Sequence, residues 1–177
     1  GYLLGDEGGG YWIGKEAIAA ALRAWDGRGP KTSLEEQLRN HLGLSRLDQI
    51  VRWVYCGEAR PDRIAGLARL VFAAADAGDG IALEILHRAG RHLGELALAV
   101  ARRLGMGKGI KVALVGGMFG RRDRLLPPME EVLKDLSPAF SDPVLPPCLG
   151  AALLGLRRTG EVSETTVQNL LRGKRNG

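Results

Sequence analysis

One short stretch constrains the fold of this chain more than any other. Residues 110–115 form an apolar, β-branched run that ends in Gly116-Gly117, and helical spacing of apolar residues resumes at Leu125. This order predicts a buried strand that passes through a tight glycine turn into a helix. Glycine has no Cβ and the following helix presents unpaired N–H groups, so a nucleotide or phosphate can approach this backbone closely. A purely structural turn would explain the same residues.

Strands and helices alternate in the last third of the chain. After the run at 110–115, helical spacing covers about 122–136, a second short strand is predicted at 140–144, and a small-residue helix follows over 151–156. This alternation predicts βαβ units with a parallel sheet covered by helices. A last short helix is expected in the tail, with Ser163 as its N-cap.

Helical periodicity dominates the first part of the chain. Apolar residues recur at three- and four-residue steps in four segments, which are 11–25, 34–42, 47–55 and 61–78. We therefore expect residues 11–78 to form a largely helical insertion and residues 81–104 to form the longest helix. The aromatic residues Tyr11, Trp12 and Trp25 are interpreted as core rather than as surfaces on which a ligand stacks.

The beginning of the chain combines glycines with carboxylates. Residues 2–4 predict a short apolar strand that runs into a glycine-rich loop at residues 5–10, which contains Asp6 and Glu7. Such a loop can bring its backbone and an acidic side chain together on one small ligand. Carboxylates accept hydrogen bonds from sugar hydroxyls or hold a magnesium-bound water. Alternatively, the loop is a flexible turn whose acids lie at the positive end of the next helix.

Small residues mark a second candidate contact. Ala65-Gly66 permits close approach to a helix face, by a neighbouring helix or by a flat ligand, and the sequence alone favours the helix. His87 and His92 lack the four-residue spacing and the partner carboxylate of a helical metal site. No metal ligand and no catalytic residue is assigned within the chain.

Composition argues against several classes of partner. Hydrophobic residues make up 45% of the chain, but the apolar runs end well before the roughly 20 residues of a membrane span, so no membrane partner is expected. The net charge of +5 comes from dispersed basic residues and a basic tail at 172–175, and no aromatic residue interleaves with a basic run. Nucleic acid is therefore not an expected partner. Cys56 and Cys148 lack Cys-x-x-Cys spacing and are expected to be buried free thiols in a reducing cytoplasm.

Three sequence motifs of this chain occur in the same order as in a known protein family. The chain resembles the BadF/BadG/BcrA/BcrD-type ATPases, most closely their N-acetylglucosamine kinase branch. The resemblance is carried by residues 1–8 leading into 10–14, by residues 115–119, and by Pro146-Pro147 leading to 150–153. The first segment is the specific one and the others support it.

The resemblance covers roughly residues 1–158. It implies the carboxyl-terminal lobe of an actin-like (ribonuclease H-like) ATPase fold. Such a lobe is α/β and helix-rich, with a small mixed sheet and, here, a helical insertion over 11–78. Residues 159–177 would form a short helical tail.

The resemblance also implies a function. The family's kinases transfer the γ-phosphoryl group of ATP to a hydroxyl of an amino sugar, with Mg²⁺ as the metal. The loop that matches Gly1 and Asp6 contacts the sugar in that family. The helix that matches Ala65-Gly66 lies against the nucleotide, and the glycines that match Gly116-Gly117 sit by the adenosine.

Two departures from the family pattern bear on activity. Family members commonly carry Ser where this chain has Gly9. The family's phosphate loop, second phosphate segment and catalytic aspartate lie upstream of the motif that begins at Gly1. We therefore expect a fragment of a longer protein that needs an amino-terminal lobe and is inactive alone, because phosphoryl transfer depends on groups placed around the γ-phosphate. Pairing into a homodimer is a further expectation.

Two alternatives remain open. The first is an ATPase activator of a 2-hydroxyacyl-CoA dehydratase, which holds an iron–sulfur cluster between subunits. Cys56 and Cys148 do not offer the expected ligand pattern for that cluster. The second is a non-catalytic sensor or scaffold that uses a degenerate kinase lobe to bind a sugar, a nucleotide or a partner protein.

Overall fold

The computed structural model describes residues 1–160, 162, 163, 165 and 167–169, and within them the chain forms two compact units. The first unit comprises Gly1–Ile110 and Met118–Pro138, and the second comprises Lys111–Gly117 and Ala139–Gly177. Among the described residues of both units, no helix is long and apolar enough to cross a membrane.

The first unit is built from helices, as the periodicity predicts. Its α-helices are α1 (Gly10–Trp25), α2 (Leu34–His41), α3 (Gln49–Tyr55), α4 (Pro61–Gly66), α5 (Ala68–Asp76), α6 (Gly80–Arg103) and α7 (Arg122–Leu133). The prediction that α6 is the longest helix is confirmed. The single helix expected over 61–78 is wrong, because the chain bends at Leu67. There the N–H groups of Leu67 and Leu70 bond to carbonyls three residues back rather than four.

Two further expectations for the first unit are wrong. Residues 2–4 are a turn rather than a strand, because the N–H groups of Leu4 and Gly5 both donate to the carbonyl of Gly1, at 3.1 and 3.0 Å. Cys56 is exposed rather than buried, since it follows the last residue of α3. Cys148, in the second unit, is exposed as well.

The second unit contains a small parallel sheet. Strand β1 (Lys111–Ala113) pairs with β2 (Ala139–Ser141) in parallel, with Val112 opposite Phe140. The strands predicted at 110–115 and 140–144 are confirmed but shorter, and the described residues contain a parallel rather than a mixed sheet. The expectation that the first strand is buried is wrong, because in each strand the middle residue is half-buried and its two neighbours are exposed. Helix α8 (Pro147–Thr159) follows them.

The tail can be compared with its prediction only in part. The carbonyl of Ser163 accepts the N–H of Val167 at 3.3 Å, and residues 165 and 167–169 are helical. The basic run at 172–175 lies outside the described residues, as do residues 161, 164, 166, 170, 171, 176 and 177.

Helix α6 forms the centre of the first unit, and α1, α5 and α7 pack against it. Its buried residues Ile85, Leu86 and Ala89 belong to one continuous core. Helix α7 comes unusually close at Gly94, where an added Cβ would lie 3.2 Å from the Cα of Met129. Glycine on α6 therefore sets the spacing between these two helices.

One carboxylate joins the beginning of α6 to the beginning of α2. Asp79 Oδ1 accepts the N–H groups of Ile81 and Ala82, both at 3.0 Å, and so caps α6. Its Oδ2 accepts the Thr32 hydroxyl at 2.9 Å and the Ser33 N–H and hydroxyl at 2.6 and 2.8 Å. Partial burial raises the pKa of Asp79, but these hydrogen bonds outweigh it and hold the pKa below its usual value.

Substitutions of Asp79 should separate its two roles. Asp79→Asn keeps one oxygen for the cap but replaces the other with an amide donor, so it loses the bond from the Ser33 N–H, which can only donate. Asp79→Ala also loses the cap and should be less stable than Asp79→Asn by about 1 kcal/mol in urea unfolding at pH 7.

The stability that Asp79 contributes should depend on pH. Because the folded-state pKa lies below the unfolded value of about 3.9, the contribution is complete above that pH and is lost as the pH falls through the folded pKa. The stability difference between wild type and Asp79→Asn should therefore shrink between pH 5 and the most acidic pH at which the protein stays folded. A constant difference would contradict this assignment.

Candidate functional site

The loop before α1 presents an unpaired carboxylate. Asp6 has a φ of 62°, in the left-handed region, and its carbonyl accepts the N–H of Gly9 at 3.0 Å. The residue is exposed, and its carboxylate has no hydrogen-bond or ion-pair partner among the described residues. The carboxylate is therefore available to a ligand.

The position of this loop is fixed by a glycine that packs against α6. Gly8 is buried with a φ of 85°, and an added Cβ would collide with the carbonyl oxygen of Ala89 and lie 2.7 Å from the Cγ of Leu93. Any larger residue would lift the loop off α6. Gly8 thus determines where the two carboxylates beside it stand.

A cavity of about 360 Å³ opens beside the loop. Its lining combines polar and apolar groups, namely Asp6, Glu7, Gly9, Gly10, Tyr11, Leu93 and Leu96. The volume lies in the range of about 300–1,000 Å³ that is typical of small-molecule sites. Two carboxylates that accept hydrogen bonds, next to an apolar wall, suit a small molecule with several hydroxyl groups.

Gly1 and Tyr11 differ from what the sequence suggests. Gly1 does not line this cavity, and its carbonyl instead closes the turn that precedes the loop. Trp12 is buried in the core as predicted, but Tyr11 is only partly buried and lies against the Tyr2 ring, with ring centroids 4.7 Å apart. The core interpretation is wrong for Trp25, the last residue of α1, which is 43% exposed. Helical periodicity cannot separate such a boundary residue from a core residue, so sequence reasoning missed Tyr11.

The loop and the end of α4 meet within the first unit. An added Cβ on Gly10 would lie 3.4 Å from the Ala65 carbonyl oxygen and 3.4 Å from the Met118 Sδ. One turn further along α1, an added Cβ on Gly14 would overlap the carbonyl oxygen of Ile64. The structure therefore brings the Asp6 loop and Ala65 together. Met118 was not predicted as a site residue, although it directly follows the paired glycines.

Gly66 has room that the described residues do not fill. An added Cβ there would meet no atom within 4 Å, while the Gly66 carbonyl accepts the Nε–H of Arg69 at 3.3 Å. The close neighbour expected from sequence is found at Ala65, where the start of α1 packs, and not at Gly66. The chain's own packing gives no reason for glycine at this position.

Gly116 and Gly117 belong to the second unit, apart from the residues above. Gly116 has a φ of 122°, so the turn itself favours glycine there, whereas Gly117 begins a 3-10 helix, Gly117–Arg121, that precedes α7. An added Cβ on either residue would meet no atom within 4 Å. Their part in a nucleotide site remains a prediction.

An ion-pair cluster holds the segment after Met118 to α5. Arg121 Nη2 donates to the two carboxylate oxygens of Asp76 at 2.9 and 2.7 Å, and Arg124 Nη2 donates at 3.1 Å. The Arg121 guanidinium also lies 5.4 Å from the centroid of the Phe72 ring. Hydrogen bonding from Arg121 lowers the pKa of Asp76, so this carboxylate stays ionised.

The described residues contain no group of three or more His, Cys, Asp or Glu side chains that could hold a metal. Mg²⁺ usually keeps several waters and binds through one or two carboxylates together with substrate phosphates. Asp6 and Glu7 are the carboxylates that this cavity offers for such an arrangement.

The chain belongs to the BadF/BadG/BcrA/BcrD ATPase family, whose sequence profile matches residues 1–155. It is 35% identical over 161 residues to an N-acetyl-D-glucosamine kinase of Dictyostelium discoideum, a match that covers 88% of this chain and 50% of the relative. It is 37% identical over 120 residues to an N-acetylmuramic acid/N-acetylglucosamine kinase of Clostridium acetobutylicum, covering 67% of this chain and 39% of the relative. The chain thus spans about half or less of the length of these relatives.

The contact between α1 and α4 should tolerate no side chain at Gly14. Gly14→Ala should lower the free energy of unfolding by about 1–3 kcal/mol, because the opposing Ile64 carbonyl is backbone and cannot rotate away. Gly80→Ala is the matched control, since an added Cβ at this first residue of α6 meets open space. Urea unfolding of both variants checks the prediction, and an unchanged Gly14→Ala would contradict the packing described.

The family's Ser at position 9 should cap α1. Gly9 is the N-cap, with φ −74° and ψ 169°, and an added Cβ would lie 3.0 Å from the Asp6 carbonyl oxygen. Gly9→Ser and Gly9→Ala share that contact, so their difference isolates the hydroxyl. The Ser variant should be more stable by about 1 kcal/mol in urea unfolding. Equal stabilities would mean that the hydroxyl does not cap the helix.

Proposed function

We propose that this chain is the carboxyl-terminal, nucleotide- and sugar-binding lobe of an ATP-dependent amino-sugar kinase. The observation that carries the proposal is the unpartnered Asp6 carboxylate in a ligand-sized cavity, beside the contact between Gly10 and Ala65. The two curated relatives are named as amino-sugar kinases, which supports the same reading.

The sugar side of the proposal rests on the cavity at the loop. Asp6 and Glu7 accept hydrogen bonds from sugar hydroxyls, and the wall formed by Tyr11, Leu93 and Leu96 faces the apolar parts of the sugar. The Asp6 carboxylate positions the sugar and is not assigned as the group that accepts the hydroxyl proton. Gly1 acts indirectly, by closing the turn that leads into the loop.

Three of the proposed nucleotide-binding residues are glycines whose Cα atoms face open space. The family resemblance assigns Ala65-Gly66 and, separately, Gly116-Gly117 to the nucleotide, and an added Cβ on Gly66, Gly116 or Gly117 would meet no atom within 4 Å, which is compatible with a flat base or ribose at each position. ATP, when bound, supplies the phosphoryl group that is transferred. Mg²⁺ would bind chiefly through the ATP phosphates, with water or one carboxylate from this chain.

The catalytic machinery would be completed by an amino-terminal lobe. The chain spans about half or less of the relatives that it matches, and phosphoryl transfer needs groups around the γ-phosphate and a residue that orients the hydroxyl. We therefore propose that the isolated chain does not turn over. Pairing into a homodimer and residence in the cytoplasm complete the proposal.

A non-catalytic sensor is the second candidate. It is favoured by Gly9, which leaves the start of α1 without the hydroxyl that family members commonly place there. A sensor would bind sugar through the same Asp6 cavity but would not accelerate ATP turnover. The dehydratase-activator alternative gains no support from Cys56 and Cys148, which belong to different units.

Asp6→Asn in the product of the complete gene should separate kinase from sensor. An ADP-release assay would compare N-acetylglucosamine, glucosamine, N-acetylmuramic acid and glucose. Sugar-stimulated turnover by wild type, with kcat/KM for the sugar reduced about 10- to 100-fold in Asp6→Asn, is the result expected from loss of a charged acceptor. Sugar binding without any stimulated turnover would favour the sensor.

The choice of Asn follows from the backbone at Asp6. Asparagine, like aspartate, adopts the left-handed region with little strain, whereas alanine there would add about 1–2 kcal/mol of strain. Asp135→Asn, another exposed Asp-to-Asn change outside the cavity, is the matched control and should behave as wild type. Equal effects of the two substitutions would remove Asp6 from the sugar site.

Gly66→Leu should test the nucleotide side in the same protein. A leucine side chain would occupy the space proposed for the nucleotide, so the KM for ATP should rise on the order of tenfold or more while kcat at saturating ATP changes less. Gly80→Leu, which also places a side chain in open space on a helix, is the control. An unchanged KM for ATP in Gly66→Leu would contradict the assignment.

A further inference from the structure

A second cavity lies in the first unit, on the other side of Tyr11. It has a volume of about 460 Å³, larger than the cavity at the Asp6 loop, it is lined by residues of α1, α3, α4 and the first turn of the chain, and it is open to solvent on one side. Tyr11 lines both cavities. Nothing in the proposed kinase chemistry uses this second cavity.

The lining of this cavity is almost entirely apolar. Ile18 and Leu22 of α1 face Val51 and Val54 of α3, and Ile64 of α4 contributes as well. Val51 is 46% exposed although it lines the cavity. Aliphatic surface left open in this way favours a ligand with a flexible hydrocarbon part.

A single charged residue, Lys15, lies in the lining. It is exposed, and its ammonium group forms no ion pair with any other residue in the part of the chain that the structure describes. The hydroxyl-bearing rings of Tyr11 and Tyr55 also belong to the lining, and Tyr55 is 83% exposed. One cation and two hydroxyl groups beside an apolar chamber match a ligand with a single anionic end.

We propose that this cavity binds an alkyl carboxylate, with the hydrocarbon chain between α1 and α3 and the carboxylate paired with Lys15. The proposal goes beyond the kinase function and does not depend on it. A small molecule of this class fits the combination of an apolar chamber and one unpaired cation, whereas an alkylammonium of the same length fits the chamber but not the cation.

Isothermal titration calorimetry of the complete gene product would test the proposal with hexanoate, octanoate and decanoate, and with octylammonium for comparison. Affinity should rise about fourfold for each added methylene until the chamber is full. Octanoate should bind about two- to fivefold more tightly than octylammonium, the size expected for an exposed ion pair. No saturable binding, or equal affinity for the two head groups, would overturn the proposal.

Two variants locate the binding site. Lys15→Met keeps the apolar stem but should abolish the preference for octanoate over octylammonium, and Lys31→Met, which removes an exposed lysine outside the cavity, should leave that preference unchanged. Ala19→Phe should fill the chamber and weaken every ligand at least tenfold. Where Ala19→Phe does not fold, Val51→Glu places a negative charge at the exposed part of the lining and should weaken the carboxylates selectively.

The same titrations distinguish other occupants of the cavity. If a second copy of the chain covers it, the octanoate affinity will fall as the protein concentration rises, and sedimentation will show association that octanoate reverses. If another segment of the complete protein fills it, neither octanoate nor octylammonium will bind to the wild type, and octylammonium will bind after Val51→Glu displaces that segment. Either result would overturn the proposal. None of these measurements requires sugar turnover, so their outcome is separable from that of the kinase assays.

Discussion

The arrangement of the first unit depends on close contacts between backbones at a few glycines. The loop before α1 packs on α6 through Gly8, α1 packs on α4 through Gly14, and α6 packs on α7 through Gly94. In each place an added Cβ would meet backbone atoms, which cannot move aside as the end of a side chain can. These contacts fix the loop and the helices relative to one another, and the cavity beside Asp6 exists because they do.

The polar interactions add to this arrangement of the loop and helices, which the glycine contacts determine. Asp79 ties the beginning of α2 to the N-cap of α6, and Asp76 ties the segment after Met118 to α5. Both carboxylates have a lowered pKa because they accept several hydrogen bonds. Asp6 differs from them, because its carboxylate has no partner among the described residues. Because Asp6 is exposed to water and pairs with no described residue, it contributes no contact to this arrangement, and the proposed function assigns it to the ligand.

Local sequence patterns predicted most of the secondary structure. Helical spacing located α1, α2, α3, α6 and α7, and the β-branched run before Gly116 predicted a strand whose parallel partner is also observed. The failures have local causes. Residues 2–4 are apolar enough for a strand but no strand lies beside them in the described chain, and the bend at Leu67 comes from three-residue hydrogen bonds that apolar spacing does not reveal. Cys56 was expected to be buried by residue type alone, although it stands at a helix end.

The sequence by itself determined the family and most of the helices, because motifs and periodicity are properties of residues close together in the chain. Only the tertiary structure decided which glycines are packing contacts and which face open space. Gly14 and Gly66 look alike in sequence, yet an added Cβ on Gly14 would overlap the carbonyl of Ile64, far along the chain, whereas one on Gly66 would meet no atom within 4 Å. The two cavities that share Tyr11 were likewise beyond sequence reasoning. Their walls come from helices distant in sequence, whose distances are set by packing that no local pattern encodes.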